Sequence, residues 1–191
     1  MLPDIYRETL ARYWGFTSFR PLQEEIIESV VSGKDTVALL PTGGGKSITY
    51  QVPPLVTEGL CLVITPLIAL MKDQVARLKT MNIKAMSIHS GMTREEVEIA
   101  LDNVLYGDYR LLYVSPERLQ TPLFRARLPR FNFTLVAVDE AHCISQWGYD
   151  FRPSYLHIAE IREMMTEEVP FLALTATATP RVVEDIVARL R

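Results

Sequence analysis

Two short polar segments combine residue types that could carry out phosphate chemistry. The first, PTGGGKS at 41–47, places three consecutive glycines before a lysine and a serine. Glycines let the backbone fold tightly around an anion with its N–H groups pointing inward, and a following helix adds the positive end of its dipole. Lys46 would then reach the β- and γ-phosphates of a nucleotide, and the Ser47 hydroxyl would bind Mg²⁺. The strict phosphate-loop pattern requires glycine at position 40, where this chain has Leu40, and the alternative is a flexible glycine loop before a helix.

The second segment is DEAH at 139–142, directly after the apolar run FTLVAV. Asp139 fits the second Mg²⁺ anchor that a phosphate loop needs at a neighbouring strand end. Glu140 is placed to orient and deprotonate an attacking water. Four such residues alone often form a solvated turn. Together the two segments predict hydrolysis of a nucleoside triphosphate, without indicating what the hydrolysis drives.

Four aromatic residues follow the acidic pair within the segment DEAHCISQWGYDFRPSY at 139–155. Polar residues and a glycine separate the rings of Trp147, Tyr149, Phe151 and Tyr155, unlike the pattern of a buried element. A solvent-exposed loop does not need so many rings, and a small hydrophobic core beneath the loop would account for some of them. We expect Tyr155 to serve only that purpose.

Short apolar runs alternate with helical patterns along the chain. Five near-continuous runs and a weaker sixth predict strands at 36–40, 60–65, 110–114, 133–138, 171–175 and, less clearly, 84–88. Apolar stripes, caps and stop residues predict helices at roughly 4–13, 21–33, 67–80, 93–105 and 180–190. Thr93 and Glu96 predict a capping box at the start of the fourth helix, and Thr179 is the expected N-cap of the fifth. This order predicts an α/β domain with a mostly parallel central sheet and helices on both faces. Ligands bind such sheets at the carboxyl ends of the strands.

Composition limits the classes of protein that need to be considered. The hydrophobic fraction of 48% and charged fraction of 23% are those of a globular chain. The net charge of −3 argues against a nucleic-acid grip over the whole surface, so such contacts should be local. Cys61 and Cys143 lie far apart and the histidines lack ligand spacing, so neither a disulfide nor a zinc site is expected. No run approaches a membrane span and MLPDIYRETL has no signal-peptide pattern. A reducing, intracellular compartment is expected, cytoplasmic and nucleoid-associated in a bacterium or nuclear in a eukaryote.

The run DEAHCISQWG.DFRP.Y resembles the aromatic-rich loop of RecQ-family DNA helicases, within helicase superfamily 2. Further stretches resemble RecQ motifs in the same order, namely GFTSFRPLQEEII (15–27), LLPTGGGKSITYQVP (39–53), VITPLIALMKDQV (63–75), YVSPERL (113–119) and LALTATATP (172–180). The second of these includes the non-glycine residue at position 40. The resemblance extends from about residue 6 to the end. Tyr149 and Ser154 depart from it, since RecQ helicases commonly have histidine and glutamate there.

The resemblance implies a RecA-like P-loop NTPase fold and roles for individual residues. It implies catalytic roles for Lys46, Asp139 and Glu140, and Mg²⁺ binding by Ser47 and Asp139. The implied ATP-binding residues are Phe16, Arg20, Gln23, Thr42, Gly43, Gly44, Gly45, Lys46 and Ser47. The implied DNA-binding and coupling residues are Thr65, Ser115, Arg118, His142, Gln146, Trp147, Phe151, Arg152, Thr175 and Thr177. Bases of single-stranded DNA would stack on rings of the aromatic loop. Arg152 would add a phosphate contact or a contact that stabilises the loop. Simpler alternatives remain, including a surface glutamine at position 23 and a neutral, partly buried histidine at position 142.

The resemblance also implies the activity of a 3′-to-5′ DNA helicase that acts in repair and recombination and uses ATP and Mg²⁺. Its partners would be single-stranded and partly duplex DNA and a second RecA-like domain. Residues 1–191 are expected to form the first motor domain, with the adenine-recognition motif on the helices of 1–33 and without second-motor, zinc or further C-terminal modules. The alternatives are a nucleotide- and DNA-binding module with little turnover, or the motor of another superfamily 2 translocase. A GTPase is disfavoured because the chain lacks N-K-x-D.

Overall fold

A computed structural model describes all residues of the chain, 1–191, and contains one six-stranded parallel sheet. The strands are β1 (Thr36–Leu39), β2 (Leu60–Ile64), β3 (Ala85–Ile88), β4 (Leu111–Val114), β5 (Phe133–Val138) and β6 (Phe171–Thr175). Their order across the sheet is β1-β6-β5-β2-β4-β3, and every neighbouring pair is parallel. All six predicted strands are confirmed, with ends that differ by no more than one residue.

Eight α-helices connect and cover these strands. They are α1 (Asp4–Trp14), α2 (Gln23–Val31), α3 (Lys46–Gln51), α4 (Pro53–Val56), α5 (Ile68–Thr80), α6 (Arg94–Tyr106), α7 (Pro122–Arg127) and α8 (Pro180–Leu190). Segments of 3₁₀ helix occupy Pro116–Gln120, Leu128–Arg130, Ala141–Ile144 and Pro153–Met164. None of the helices is both long and apolar enough to cross a membrane.

The sheet has a hydrophobic core on each of its two faces, which explains why its strands are near-continuous apolar runs. Along β2, Leu62 and Ile64 join the core that α6, α7 and α8 cover, whereas Cys61 and Val63 join the core that α2, α3 and α5 cover. A third, smaller cluster packs α1 against α2, α3 and Val52. The predicted helix layers on both faces are therefore confirmed.

The predicted helix boundaries are largely confirmed, with two corrections. The capping box of α6 is present, since the Glu96 N–H donates to Thr93 Oγ1 at 3.2 Å and the Thr93 N–H donates to the Glu96 carboxylate at 2.7 Å. The helix expected from Pro21 begins at Gln23, because Leu22 has a left-handed backbone with φ 71°. The buried apolar face of the helix expected at 67–80 is shorter than expected. Leu67 lies before the start of α5, and Leu70 lies on the exposed first turn of this helix.

The strand order determines which chain segments meet at the carboxyl edge of the sheet. There β6 lies between β1 and β5. The segment that follows each of these strands carries unusual residues, namely 41–47 after β1, 175–177 at the end of β6 and 139–142 after β5. The fold therefore brings the glycine-rich segment, the threonine pair and the acidic pair to one edge.

Candidate functional site

The glycine-rich segment forms a tight loop whose shape depends on glycine. Gly43 and Gly45 have φ values of 80° and 76°, in the left-handed region where side chains are strained. A Cβ on Gly44 would lie 2.8 Å from the Pro41 carbonyl oxygen. Leu40, which departs from the strict phosphate-loop pattern, is buried and donates its N–H to the Thr175 carbonyl at 3.1 Å. Position 40 therefore directly follows β1 and belongs to the core, which explains its apolar residue.

Lys46 lies between the two carboxylates that follow β5. Its Nζ is 3.4 Å from Glu140 Oε1 and 3.5 Å from Asp139 Oδ1. Asp139 is buried, and burial raises the pKa of its carboxyl group, while the Lys46 charge opposes that shift. The lysine of the glycine-rich loop and both predicted catalytic carboxylates are therefore adjacent, although more than 90 residues separate them in sequence.

The backbone at the acidic pair has an unusual conformation. Glu140 has φ 51° and ψ 44°, and its N–H donates to Asp139 Oδ1 at 3.0 Å. The buried Tyr155 hydroxyl donates to the Asp139 carbonyl at 2.8 Å, so this ring supports the turn from beneath. A left-handed residue other than glycine costs about 1–3 kcal/mol and is found preferentially at functional sites. The turn places two consecutive carboxylates next to one lysine.

The predicted adenine-recognition residues contact the glycine-rich loop directly. The Gln23 side-chain amide is buried, donates to the Gly45 carbonyl at 3.0 Å and accepts the Arg20 N–H at 2.8 Å. Arg20 donates from Nη1 to the Gly43 carbonyl at 2.6 Å, whereas Phe16 is 49% exposed. The alternative of a surface glutamine is therefore wrong, because Gln23 connects the start of α2 to the loop.

These residues line a cavity of about 220 Å³ beside the loop. Its walls also include residues that the sequence did not single out, namely Trp14, Ser18, Ile48, Gln51, Gln74 and Arg77. Aromatic rings, amides and guanidinium groups suit a planar base with polar edges. Gln51 and Gln74 hydrogen-bond each other at 2.7 Å. Both residues lie in segments that resemble RecQ motifs, 39–53 and 63–75, but the sequence alone assigned neither of them a role.

The residues predicted to hold Mg²⁺ are of suitable chemistry. Ser47 offers an uncharged hydroxyl and Asp139 a buried carboxylate, and oxygen ligands of this type are those that Mg²⁺ prefers. Burial is the main cause that raises the pKa of Asp139. A nearby divalent cation would offset this cost of burial, so the donor set fits the ion.

His142 connects the acidic pair to the threonines at the end of β6. Its Nδ1 lies 2.9 Å from Thr175 Oγ1 and 3.5 Å from Glu140 Oε2. The Thr175 hydroxyl donates to the Thr177 carbonyl at 3.1 Å, so its single hydrogen is used and His142 donates to it. Burial lowers the pKa of His142, so the ring is neutral at neutral pH. The expectation of a neutral, buried histidine is therefore confirmed, and the coupling role of His142 stays a prediction.

The four rings of the aromatic loop have different surroundings. Trp147 and Tyr149 are 59% and 77% exposed, whereas Tyr155 is fully buried, as expected for a structural ring. Phe151 is half-buried. Tyr149 stacks on His142 with ring centroids 4.6 Å apart, which connects the loop to the residue beside Glu140. The loop therefore presents two rings to solvent and anchors the fourth under Asp139.

Three of the predicted DNA contacts are less exposed than Trp147. Thr65 Oγ1 and Ser115 Oγ are buried and have no hydrogen-bond partner in the protein. The Arg118 guanidinium donates to the carbonyls of His89 and Met92 at 3.0 and 2.7 Å. Thr65 and Ser115 are therefore not displayed at the surface, and the partly exposed Arg118 is already bonded to the backbone. The DNA-binding role of all three stays a prediction.

Two further predicted DNA contacts lie within the aromatic loop. The Arg152 guanidinium is paired with Asp150 at 3.1 Å, which is the loop-stabilising alternative of its two expected roles. Gln146 is exposed. Gln146 is thus available to a ligand, whereas Arg152 already holds the loop together.

The structure reveals two groupings that sequence spacing did not indicate. The guanidinium carbon of Arg181, in the first turn of α8, lies 3.3 Å from the centroid of the Trp147 ring. Ligand atoms of His142, Cys143 and Asp150 lie within 4.8 Å of one another. Burial raises the pKa of the Cys143 thiol to about 12, and Asp150 is already paired with Arg152. The expected absence of zinc stays a prediction.

Comparison with known proteins extends the sequence resemblance. The family described as DEAD/DEAH box helicase matches residues 20–186. The chain is 45% identical to the probable ATP-dependent DNA helicase RecS of Bacillus subtilis over 181 residues, which are 94% of this chain and 36% of the relative. It is 47% identical to the ATP-dependent DNA helicase RecQ of Bacillus subtilis over 182 residues, 95% of this chain and 31% of the relative. The chain thus spans about a third of the length of these curated relatives.

Solved structures confirm the predicted RecA-like fold. A hypothetical ATP-dependent RNA helicase from Sulfolobus tokodaii matches 98% of this chain and 55% of its own, with a TM-score of 0.71 and 21% identity. The Mycobacterium smegmatis helicase Lhr, solved with ssDNA and AMP-PNP, matches 96% of this chain and 26% of its own, with a TM-score of 0.72 and 18% identity. At such identities the likeness shows the fold alone.

Proposed function

Because the chain belongs to the DEAD/DEAH box helicase family and resembles RecQ and RecS helicases over nearly its whole length, we propose that it is the ATP-hydrolysing motor of a 3′-to-5′ DNA helicase. The hydrolysis would drive movement along single-stranded DNA and the unwinding of duplexes. The observation that carries this proposal is the position of Lys46 between Asp139 and Glu140. Such a triad has the charges needed to bind a triphosphate and activate a water.

In the proposed complex the adenine occupies the cavity beside the glycine-rich loop. Phe16 and Arg20 would cover its faces, and Gln23 would read its edge while keeping its contact with the loop. Backbone N–H groups of 43–47 and the start of α3 would hold the phosphates. Ser47 and Asp139 would hold Mg²⁺, which supplies positive charge to the phosphates and the leaving group.

Glu140 would act as the general base in hydrolysis. Its carboxylate lies next to Lys46, so a γ-phosphate bound by the lysine would lie close to Glu140 as well. Glu140 would orient a water for in-line attack and accept its proton. Lys46 would exchange its contacts with the carboxylates for contacts with phosphate oxygens, because these carry more negative charge.

Single-stranded DNA would regulate the general base Glu140 through the aromatic loop. Bases would stack on Trp147 and Phe151, which is worth about 1–3 kcal/mol per base. Tyr149 and His142 connect the loop to the side of Glu140, and His142 also holds Thr175. A small displacement of a catalytic group changes its rate strongly, so a shift of the loop would change turnover.

We further propose that a second RecA-like domain completes the site in the whole protein. The curated relatives are about three times as long as the matched region. In P-loop enzymes an arginine finger from another domain contributes about 10³–10⁵ in rate. The 191 residues alone would then bind nucleotide but hydrolyse it with little turnover.

Calorimetric titration of the chain with ATP and Mg²⁺ tests the nucleotide site. Lys46→Ala should abolish measurable binding, whereas Glu140→Gln should keep it, because the glutamine retains shape but cannot accept a proton. Lys79→Ala, which removes an exposed lysine from the last turn of α5, is the matched control and should bind as the unchanged chain does. Unchanged binding by Lys46→Ala would refute the assignment of this loop.

A further inference from the structure

A cation–π contact joins the aromatic loop to the helix that follows β6. The Arg181 guanidinium carbon is 3.3 Å from the centre of the Trp147 ring, well within the range of about 6 Å for such contacts. Arg181 is the second residue of α8, and the N-cap of that helix, Thr179, accepts the Val182 N–H at 3.4 Å. The arginine therefore extends from a fixed helix start.

The contact leaves part of the tryptophan available to a ligand. Arg181 lies over one face of the ring, yet Trp147 is still 59% exposed. A ring with one covered face and substantial exposure offers its other face to a planar group. A fixed ring also loses less conformational freedom when a base stacks on it than a freely rotating ring does.

Arg181 also connects the loop to the segment that carries Thr175. The loop and this segment are joined a first time by His142 and Thr175, whose atoms are 2.9 Å apart. The Trp147–Arg181 contact is a second, independent connection, six residues further along the chain. Trp147 is therefore held by the start of α8 in a loop that His142 also joins to the end of β6.

We propose that Arg181 is a positioning residue, which holds Trp147 as a preformed platform for a base of single-stranded DNA. This inference rests on the proposed function, because it requires that bases stack on Trp147. Arg181 acts through the ring and does not itself need to contact DNA. The proposal distinguishes Arg181 from a surface arginine that would only attract phosphate.

A double-mutant cycle on Arg181 and Trp147 tests the proposal. Binding of a fluorescently labelled oligothymidylate is followed by anisotropy, in the longest natural form of the protein. Trp147→Ala should raise Kd by about 5- to 150-fold, the range for loss of one stacked base. Arg181→Ala should raise Kd by about two- to fivefold, the range for an exposed cation–π contact, and Arg181→Lys should restore part of the affinity.

The cycle separates positioning from direct contact. In the Trp147→Ala background, Arg181→Ala should cause no further loss, because the ring through which it acts is gone. Arg189→Ala serves as the control, since this exposed arginine lies on the same helix and pairs with Asp185. Thermal unfolding of each variant verifies that the fold is retained.

Three outcomes would overturn the proposal, and they differ in what they remove. If Trp147→Ala weakens binding while Arg181→Ala behaves as Arg189→Ala does, positioning by Arg181 is refuted and the proposed function stands. If the two losses add, and Arg181→Ala reduces the dependence of binding on salt, Arg181 contacts phosphate directly. If Trp147→Ala has no effect, the proposed stacking fails and the role of Arg181 fails with it.

Discussion

Two buried threonines at the carboxyl edge of the sheet should respond oppositely to the same substitution. Thr175 is fully buried, and its hydroxyl lies 2.9 Å from His142 Nδ1 and 3.1 Å from the Thr177 carbonyl. Thr65 is equally buried, but its hydroxyl has no partner in the protein. Valine has nearly the shape of threonine without the hydroxyl. Thr→Val therefore removes hydrogen bonds at one position and only an unpaired polar atom at the other.

The expected size of the effect follows from the groups left behind. Thr175→Val deprives the buried His142 N–H of its acceptor, whereas the exposed Thr177 can bond to water instead. A buried donor left unpaired costs about 1–3 kcal/mol. For a chain of this size each kcal/mol corresponds to about 2–4 °C in Tm. Thr65→Val removes a buried hydroxyl that makes no hydrogen bond to the protein. The free energy of unfolding of this variant should therefore equal or exceed that of the unchanged chain.

Urea unfolding of both variants and of the unchanged chain measures this difference. An unchanged m-value would show that only stability differs between them. Thr175→Val should also lose the dependence of ATP turnover on DNA, because the link between His142 and the end of β6 is broken, whereas Thr175→Ser should keep it. Equal losses of stability in Thr175→Val and Thr65→Val would refute the hydrogen-bond network of His142, Thr175 and Thr177.

Three further substitutions test the buried polar groups. Asp139→Asn should raise the free energy of unfolding at neutral pH by about 0.5–2 kcal/mol and abolish hydrolysis. Burial raises the folded-state pKa of Asp139, so the folded chain binds this proton more tightly than the unfolded chain. The free energy of unfolding therefore falls as pH rises through that pKa, and the substitution removes this fall. Burial lowers the pKa of His142 below 6.5, so the unfolded chain takes up that proton first and stability falls as pH drops through 6.5; His142→Asn should flatten this loss, which urea titrations across that range would reveal. Tyr155→Phe should lower stability by about 1–3 kcal/mol, because the Asp139 carbonyl loses a buried donor. The exposed Tyr106→Phe should change stability little, and an equal loss there would contradict the role assigned to the Tyr155 hydroxyl.

The strands were predictable because each is a short apolar run covered on both faces. The run at 133–138 became β5 without change, and the acidic pair therefore follows it at the carboxyl edge. The approach of Lys46 to Glu140 followed from the same logic, since ends of parallel strands meet at one edge. Local rules also predicted the caps of α6 and α8, because a cap depends on residues only three positions apart.

Features that depend on contacts between distant segments were not predictable from spacing. Arg181 lies 34 residues after Trp147 and belongs to no motif, so only the packing of α8 against the loop reveals the contact. The resemblance to RecQ helicases implied DNA contacts at Thr65 and Ser115, yet the surrounding chain buries both hydroxyls. Gln23 was expected at a ligand, and its additional bond to Gly45 required knowledge of how α2 approaches the loop.

The most direct test of the account is the ratio of ATP turnover with saturating single-stranded DNA to turnover without it. The longest natural form of the protein is used, with Glu140→Gln as the blank, and the unchanged protein is compared with Trp147→Ala. We expect the unchanged protein to be stimulated by DNA, and Trp147→Ala to keep basal turnover with a ratio near one. Full stimulation of Trp147→Ala would contradict the claim that the aromatic loop couples DNA to the catalytic carboxylates.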